Sequence, residues 1–254
     1  MARERTVIKG VVLRSVDTKE SDKILTVLTA EKGKMAVIAK GARSRRSKVS
    51  AAAQLFAYSE LVLSESHGWQ YLTEGATIAL FDGVRQDVEK LSLASYFAEL
   101  TEAVTYEEAE SGEVLSLFLN ALYALDKLER EPELVRAAFE LKLMSLIGFE
   151  PLLEGCVHCG EAAPREPVLD LQGGVLRCRS CGMGSGRQAL LSPGALAAMR
   201  HVLYGDPRRL YSFRLEGEDL RRFSRAGESY AAAMTERGFK TLDFYKSLKR
   251  CEGN

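Results

Sequence analysis

The sequence predicts an α+β chain of more than one domain. A five-stranded β-barrel is expected over residues 1–80 and an α-helical domain over 81–254, interrupted by a four-cysteine insertion at about 151–187. Three observations lead there. The first eighty residues are short apolar and β-branched runs bounded by turn residues, as strands are. From Val84 the apolar period lengthens to that of helices. Inside the helical part, two Cys-x-x-Cys pairs stand eighteen residues apart. At 254 residues, 46% hydrophobic and 28% charged, the chain has material for about two domains with ordinary cores.

The strands are expected at Val7–Ser15, Lys23–Ala30, Met35–Lys40, Leu55–Ser64 and Trp69–Leu80. Glu31–Lys34 is a hairpin turn in which Gly33 supplies the unusual backbone angle, and Ser66–Gly68 turns between the last two strands. Gly41–Lys48 is too polar and too charged to be core. Five strands with no early helix long enough for a βαβ unit point to a small closed or partly open barrel, and an SH3-like arrangement fits the strand count nearly as well. Val88, Leu91, Leu93, Tyr96, Phe97 and Leu100 then share a helical face, as do Leu115, Leu119, Leu122 and Leu125. Pro132 opens a third helix that stops near Gly148, Ser192-Pro193 opens one through Tyr204, and a long final helix is expected from about Glu218 to Arg237.

Cys156, Cys159, Cys178 and Cys181 supply four thiolates at the spacing a tetrahedral Zn²⁺ requires. A catalytic zinc keeps a position open for water, and four cysteines fill every position, so the expected metal is structural. His158, inside the first pair, is the one alternative ligand nearby. Gly160 and Gly182 follow the second cysteine of each pair, and Gly173-Gly174 turns the chain between them. Arg177 and Arg179 flank the second pair and read as solvated charges rather than phosphate ligands. Five cysteines, four of them in metal spacing, fit a reducing cytoplasm, and Cys251 reads as incidental.

Net charge is formally zero, but it is unevenly placed. Residues 1–50 carry thirteen Lys/Arg against five Asp/Glu, and residues 82–133 carry four against thirteen. Lys32, Lys34, Lys40, Arg43, Arg45, Arg46 and Lys48 fall within seventeen residues, interleaved with Ser44 and Ser47. Such a segment suits a sugar–phosphate backbone followed without regard to sequence. Among the aromatics Phe56, Tyr58, Trp69 and Tyr71, one strand parity must face inward, and Trp69 is the candidate for stacking on a base.

Nucleotide-hydrolysis and hydrolase motifs are missing: no G-x-x-x-x-G-K-[ST], no H-E-x-x-H, no G-x-S-x-G, and three histidines in all. Gly182–Gly186 reads as a flexible exit from the cysteine loop, and Glu107-Glu108 as solvated surface on a charged helical stretch. The opening residues lack the apolar core of a signal peptide, and no apolar run is long enough to span a membrane. The expectation is a non-enzymatic, cytoplasmic protein.

The order of several segments resembles the RecO family of bacterial recombination mediators. They are Gly10–Leu13, Asp22–Thr26 and Gly33–Gly41 before the basic loop, then Phe139–Leu143 before Gly148-Phe149, the cysteine pairs, and Phe239–Phe244 near the end. The resemblance runs nearly end to end. It implies an N-terminal OB-fold, a helical domain and, in zinc-bearing members, a four-cysteine finger. It further implies binding of single- and double-stranded DNA, annealing of complementary strands, and help in loading RecA onto DNA coated by single-strand-binding protein. Implied partners are RecR and the C-terminal tail of single-strand-binding protein, with RecA indirectly and with nucleoid association. Lys34 and Lys40 match strand-end positions where family members carry basic residues implicated in DNA contact, whereas the Arg43–Lys48 segment varies between members. Two other readings fit the residues: an RNA-binding or protein-interaction module with a zinc ribbon, and a metalloenzyme.

Overall fold

In the computed structural model, which describes residues 5–182 and 186–252, the chain divides into two compact units. The first comprises residues 1–126 with 244–254, and the second residues 127–243. Five strands of the first unit, β1 (Arg5–Thr18), β2 (Asp22–Thr29), β3 (Lys34–Ala39), β4 (Tyr58–Ser66) and β5 (Trp69–Ala79), close into a barrel of order β1-β2-β3-β5-β4. All neighbours are antiparallel except β3 and β5, which run parallel and close the ring through Val37 opposite Gln70 and Ile38 opposite Tyr71.

Alternation fills the interior. Val12, Leu25, Val27, Val37, Ala39, Leu61, Leu63 and Leu72 point inward and are buried. The β3–β4 connection completes this core: its charged residues stay outside while Ala42, Val49, Ala52 and Ala53 plug the barrel. β1 runs three residues past the expected end, because a bulge between Val12 and Arg14 lets one strand pair with β4 at its start and β2 at its finish. Leu55–Ala57, expected as strand, is turn instead. Phe56 takes a left-handed φ of 63°, which sends its ring out of the barrel to sit 6.2 Å from Phe118.

Helices α1 (Asp82–Gln86), α2 (Val88–Val104) and α3 (Gly112–Lys127) follow. Asp87 caps α2 by accepting from the backbone N–H groups of Glu89 and Lys90. The α2–α3 connection docks on the β2–β3 turn: Tyr106 O accepts from Lys34 N, Lys32 O from Glu108 N, and Ala30 O from Ser111 N. Glu107-Glu108 thus lies in this connection and not on a helix, with both side chains exposed.

The second unit holds α4 (Pro132–Leu146), α5 (Pro193–Tyr204) and α6 (Gly217–Thr235), together with a three-stranded sheet of order β7-β6-β8. Those strands, β6 (Pro167–Asp170), β7 (Val175–Cys178) and β8 (Gln188–Leu190), give the cysteine insertion a framework where a loop was expected. Arg136 on α4 is buried, with its guanidinium donating to Glu140, Glu228 and Ser224. The helix expected to be last ends at Thr235, and α7 (Lys240–Glu252) follows it. Among the described residues no helix is long and apolar enough to cross a membrane.

Gly33 carries the tightest constraint in the first unit. Its φ is +62°, and a Cβ there would lie 2.1 Å from the Tyr106 carbonyl oxygen. Gly33→Ala should therefore destabilise the chain by about 2 kcal/mol or more, since it combines backbone strain with a backbone clash. Urea unfolding followed by circular dichroism measures it; a change of only a few tenths would show that the α2–α3 connection yields freely.

Candidate nucleic-acid interface and metal centre

Where β3 meets β5, the expected contact residues separate into two groups. Lys40, immediately after β3, lies with its ammonium 4.7 Å from the centroid of the Tyr71 ring, a cation–π distance. These two residues line a cleft of about 450 Å³ with Ser64, Ser66 and His67 at the β4–β5 turn. Trp69 opens β5 and is 50% exposed, so its ring is presented to solvent and not to the core. Phe56 has gone the other way and is fully buried.

The loop after Lys40 is ordered by the β1–β2 turn. Asp22 accepts from the Gly41 N–H at 2.8 Å, and the Ser21 carbonyl accepts from the Arg43 N–H. The Arg43 guanidinium donates to the Glu20 carbonyl and lies 3.2 Å from the Asp17 carboxylate. Arg43 is thereby an anchor of the loop. Arg45, Arg46 and Lys48 are exposed, and among the described residues none of them has a carboxylate partner. Three cations without counter-charges on one short loop form an electrostatic surface that a polyanion can fill.

Lys32 and Lys34 sit at the other end of β3. Lys34 is half-buried and donates 2.7 Å to the Glu102 carbonyl, beside the ion pair of Arg14 with the Glu102 carboxylate. Its ammonium is thus partly engaged within the fold, through a partner sixty-eight positions away that local pattern does not reveal.

The metal centre belongs to the second unit. The four Sγ atoms of Cys156, Cys159, Cys178 and Cys181 all lie within 4.8 Å of one another, and Cys159 and Cys178 approach to 3.6 Å. Zn–S bonds of about 2.3 Å in a tetrahedron set sulfur atoms about 3.8 Å apart, so the cluster fits such an ion. Gly160, at φ +75°, turns the first knuckle so that its N–H reaches the Cys156 carbonyl. The Cys178 N–H donates to Cys156 Sγ at 3.2 Å. Burial opposes charge on Cys156, but N–H donors from Cys159, His158 and Cys178 outweigh it and bring its pKa down to about 6. Burial, and then hydrogen bonds to the neighbouring sulfurs, push Cys178 up to about 12. Hydrogen bonding to Cys159, followed by burial, raises Cys181.

His158 faces the Arg177 guanidinium. Arg177 also pairs with Asp170, and Arg179 with Glu166 at 2.8 Å, so both arginines flanking the second knuckle have acidic partners. Of the glycine-rich exit at Gly182–Gly186, positions 183–185 lie outside the described residues. The side chain of Cys251 lies outside them as well.

Sequence reasoning missed the residues that fasten this centre to the helices. Arg200 on α5 donates to three carbonyls of the knuckle, those of Leu153, Glu154 and Ala162. One turn later, the Tyr204 hydroxyl donates to Pro151 O and accepts from Leu153 N. The i, i+4 spacing puts both on one helical face, but nothing in the chain's order linked that face to a loop about forty residues earlier. Arg200→Ala removes charge-assisted bonds and leaves carbonyls without donors, so a loss of about 2–4 kcal/mol is expected. Thermal unfolding of the metal-loaded protein measures it, with Arg200→Lys recovering only part because a lysine lacks the forked geometry.

Comparison with known proteins adds an independent line. Residues 1–81 match the family described as Recombination protein O N terminal, and residues 85–243 match Recombination protein O C terminal. A protein of Symbiobacterium thermophilum named DNA repair protein RecO is 36% identical over 250 residues, covering 95% of this chain and 97% of its own length. A protein of Acetivibrio thermocellus with the same name is 30% identical over 241 residues, covering 95% and 96%. A closed five-stranded barrel, a four-cysteine cluster and matches along both parts of the chain converge, and the chain belongs to the RecO family.

Proposed function

We propose that this protein is a DNA repair and recombination mediator that binds DNA, anneals complementary strands and, with RecR, helps load RecA onto DNA coated by single-strand-binding protein. The observation that carries this reading is the barrel edge at Lys40, where a basic loop whose Arg45, Arg46 and Lys48 have no carboxylate partner among the described residues borders a ring-lined cleft. The OB-fold part, residues 1–80, is the nucleic-acid-binding domain in this proposal. The helical part, 81–254, carries the finger inserted at about 151–187.

Annealing requires two polyanions to be held near each other while their charge is neutralised. Lys40, Arg45, Arg46 and Lys48 supply that neutralisation without reading base edges, and they exchange phosphates readily because each is an exposed point charge. Arg43 holds the loop in place, and Lys32 and Lys34 extend the basic edge at the far end of β3. No nucleotide hydrolysis enters this scheme, so the protein acts as a binder and not as an enzyme. Its partners are single- and double-stranded DNA, RecR and the acidic tail of single-strand-binding protein, and its place is the cytoplasm, associated with the nucleoid.

The four cysteines are proposed to hold one structural Zn²⁺, which when bound adds rigidity to a sheet of three very short strands. Cys156 supplies the first thiolate near neutral pH, and the protons on Cys178 and Cys181 leave as the ion enters. Affinity should fall as pH is lowered, because protons compete for the sulfurs. Below about 6 the entering ion displaces one further proton, because Cys156 is then protonated as well. Zinc titration against a chromophoric chelator at several pH values tests the slope, and a flat profile would exclude thiolate ligation.

The reading itself is tested by annealing of two complementary oligonucleotides coated with single-strand-binding protein, with RecR present and nucleotide absent. Acceleration is expected, and failure with a folded, metal-loaded sample would refute it. Replacing Arg45, Arg46 and Lys48 by alanine should weaken binding to every sequence alike. On a single strand it should also flatten the salt dependence, by about 0.7 log units per log salt for each phosphate no longer neutralised. Salt titrations by fluorescence anisotropy read this, and weakening confined to some sequences would point to base recognition.

A further inference from the structure

The four sulfur atoms of the cysteine cluster differ in access and in what holds them. Cys156 and Cys178 are 3% and 6% exposed, Cys181 is half-buried, and Cys159 is exposed. Cys156 Sγ is tied to backbone, accepting from the Cys178 N–H at 3.2 Å. Cys159 Sγ instead lies 3.6 Å from Cys178 Sγ, in contact with a sulfur of the other knuckle. An accessible thiolate with a second cysteine beside it is the arrangement in which a sulfur is oxidised and then resolved as a disulfide.

The backbone around the cluster is held by bonds that do not involve sulfur. The Leu152 N–H donates to the Gly174 carbonyl, and the Leu152 carbonyl accepts from the Leu176 N–H. Val157, inside the first knuckle, donates to the Leu176 carbonyl, two residues before Cys178. Arg200 adds its bonds to the carbonyls of Leu153, Glu154 and Ala162. Main-chain bonds on both sides of Cys156 thus lace the first knuckle to β7, and they keep Cys159 beside Cys178 whether or not an ion is bound. An S–S bond of about 2.05 Å asks for a shift of about 1.5 Å from sulfur atoms already in contact.

We propose that Cys159 is a modification site for hydrogen peroxide and that Cys178 resolves it, so that a disulfide between the two knuckles takes the place of the metal ion. The proposal rests on the four-thiolate metal site given above. The Cys159 thiolate attacks one peroxide oxygen: an S–O bond forms, the O–O bond breaks, and hydroxide leaves. The Cys178 thiolate then attacks the sulfenic sulfur, forming the S–S bond and expelling the second oxygen as hydroxide. The two sulfurs lose one electron each, peroxide gains both, and two protons from solvent convert the hydroxides to water. Two of the four ligands are thereby removed, and metal affinity collapses. A thiol reductant restores both ligands by exchange.

The full-length, zinc-loaded protein is treated with hydrogen peroxide while a chromophoric chelator reads released zinc and mass spectrometry of a tryptic digest reads disulfides. Cleavage after Arg177 and Arg179 puts Cys178 and Cys181 on different peptides, and fragment ions separate Cys156 from Cys159. One ion released per Cys159–Cys178 disulfide is expected, with bound metal recovered on adding dithiothreitol and zinc. Cys159→His keeps four ligands, as a site of three cysteines and one histidine, but removes the point of entry. Release should then slow by about tenfold, and Cys181→His, which leaves Cys159 in place, should slow it far less. The oxidised protein should melt above the reduced, chelator-stripped protein, because the cross-link takes over the ion's hold on the knuckles. Zinc retained under peroxide, a disulfide within one knuckle, or an oxidised protein that melts with the stripped one would each overturn the proposal. So would Cys181→His slowing release as much as Cys159→His. Absence of zinc before peroxide is added, read by the chelator after unfolding in denaturant, would refute the metal site itself and this proposal with it.

Discussion

The short parallel pairing of β3 with β5 is the interaction on which the proposed nucleic-acid face depends. Two residue pairs, Val37 with Gln70 and Ile38 with Tyr71, close a sheet of order β3-β2-β1-β4-β5 into a barrel. Closure brings Lys40, the last residue before the basic loop, against the ring of Tyr71, more than thirty positions later in the chain. It also sets Ile38 beside Tyr71 across the seam. Without it β3 would be an edge with unpaired backbone groups, and the cations and rings would belong to separate surfaces. The core supports the seam from within, since Val37 and Leu72 are both buried there.

Much of this architecture was legible because strands and helices differ in period. The five strands, the turn at Gly33 and the helix starts at Pro132 and Pro193 follow from local pattern alone. What escaped depends on tertiary context. The bulge between Val12 and Arg14 switches the parity of β1, so alternation read straight through would turn its second half inside out. The strands β6, β7 and β8 are four, four and three residues long, too short to show a period. Phe56 sits in an apolar stretch that reads as strand, and only its left-handed backbone reveals that its ring is destined for a helix.

The two sites differ in the same way. Cysteine spacing specifies its chemistry locally, because four soft ligands at that interval suit few other purposes. Arg200 and Tyr204 were invisible, since a helix surface arginine looks the same in sequence whether it meets water or three carbonyls. Basic residues of the head pose the converse problem. Composition marks seven cations as equivalent, yet Arg43 is held by Asp17 and the Glu20 carbonyl, Lys34 by the Glu102 carbonyl, and Lys40 by a ring. Binding capacity follows from which charges the fold leaves without partners, and that is a property of packing.

Geometry also answers the objection that a chain of zero net charge is poorly made for a polyanion. The acidic connection with Glu107, Glu108 and Glu110 docks on the β2–β3 turn, beside Lys32 and Lys34. The unpaired cations gather past the opposite end of β3. Six residues of strand separate the two ends by about 20 Å, which is more than two screening lengths of about 8 Å at physiological salt. The acidic charge of this connection therefore damps the field at the turn and reaches the loop only weakly. In the proposed function, a phosphate backbone approaching the barrel is drawn to the end of β3 where Lys40 stands over Tyr71.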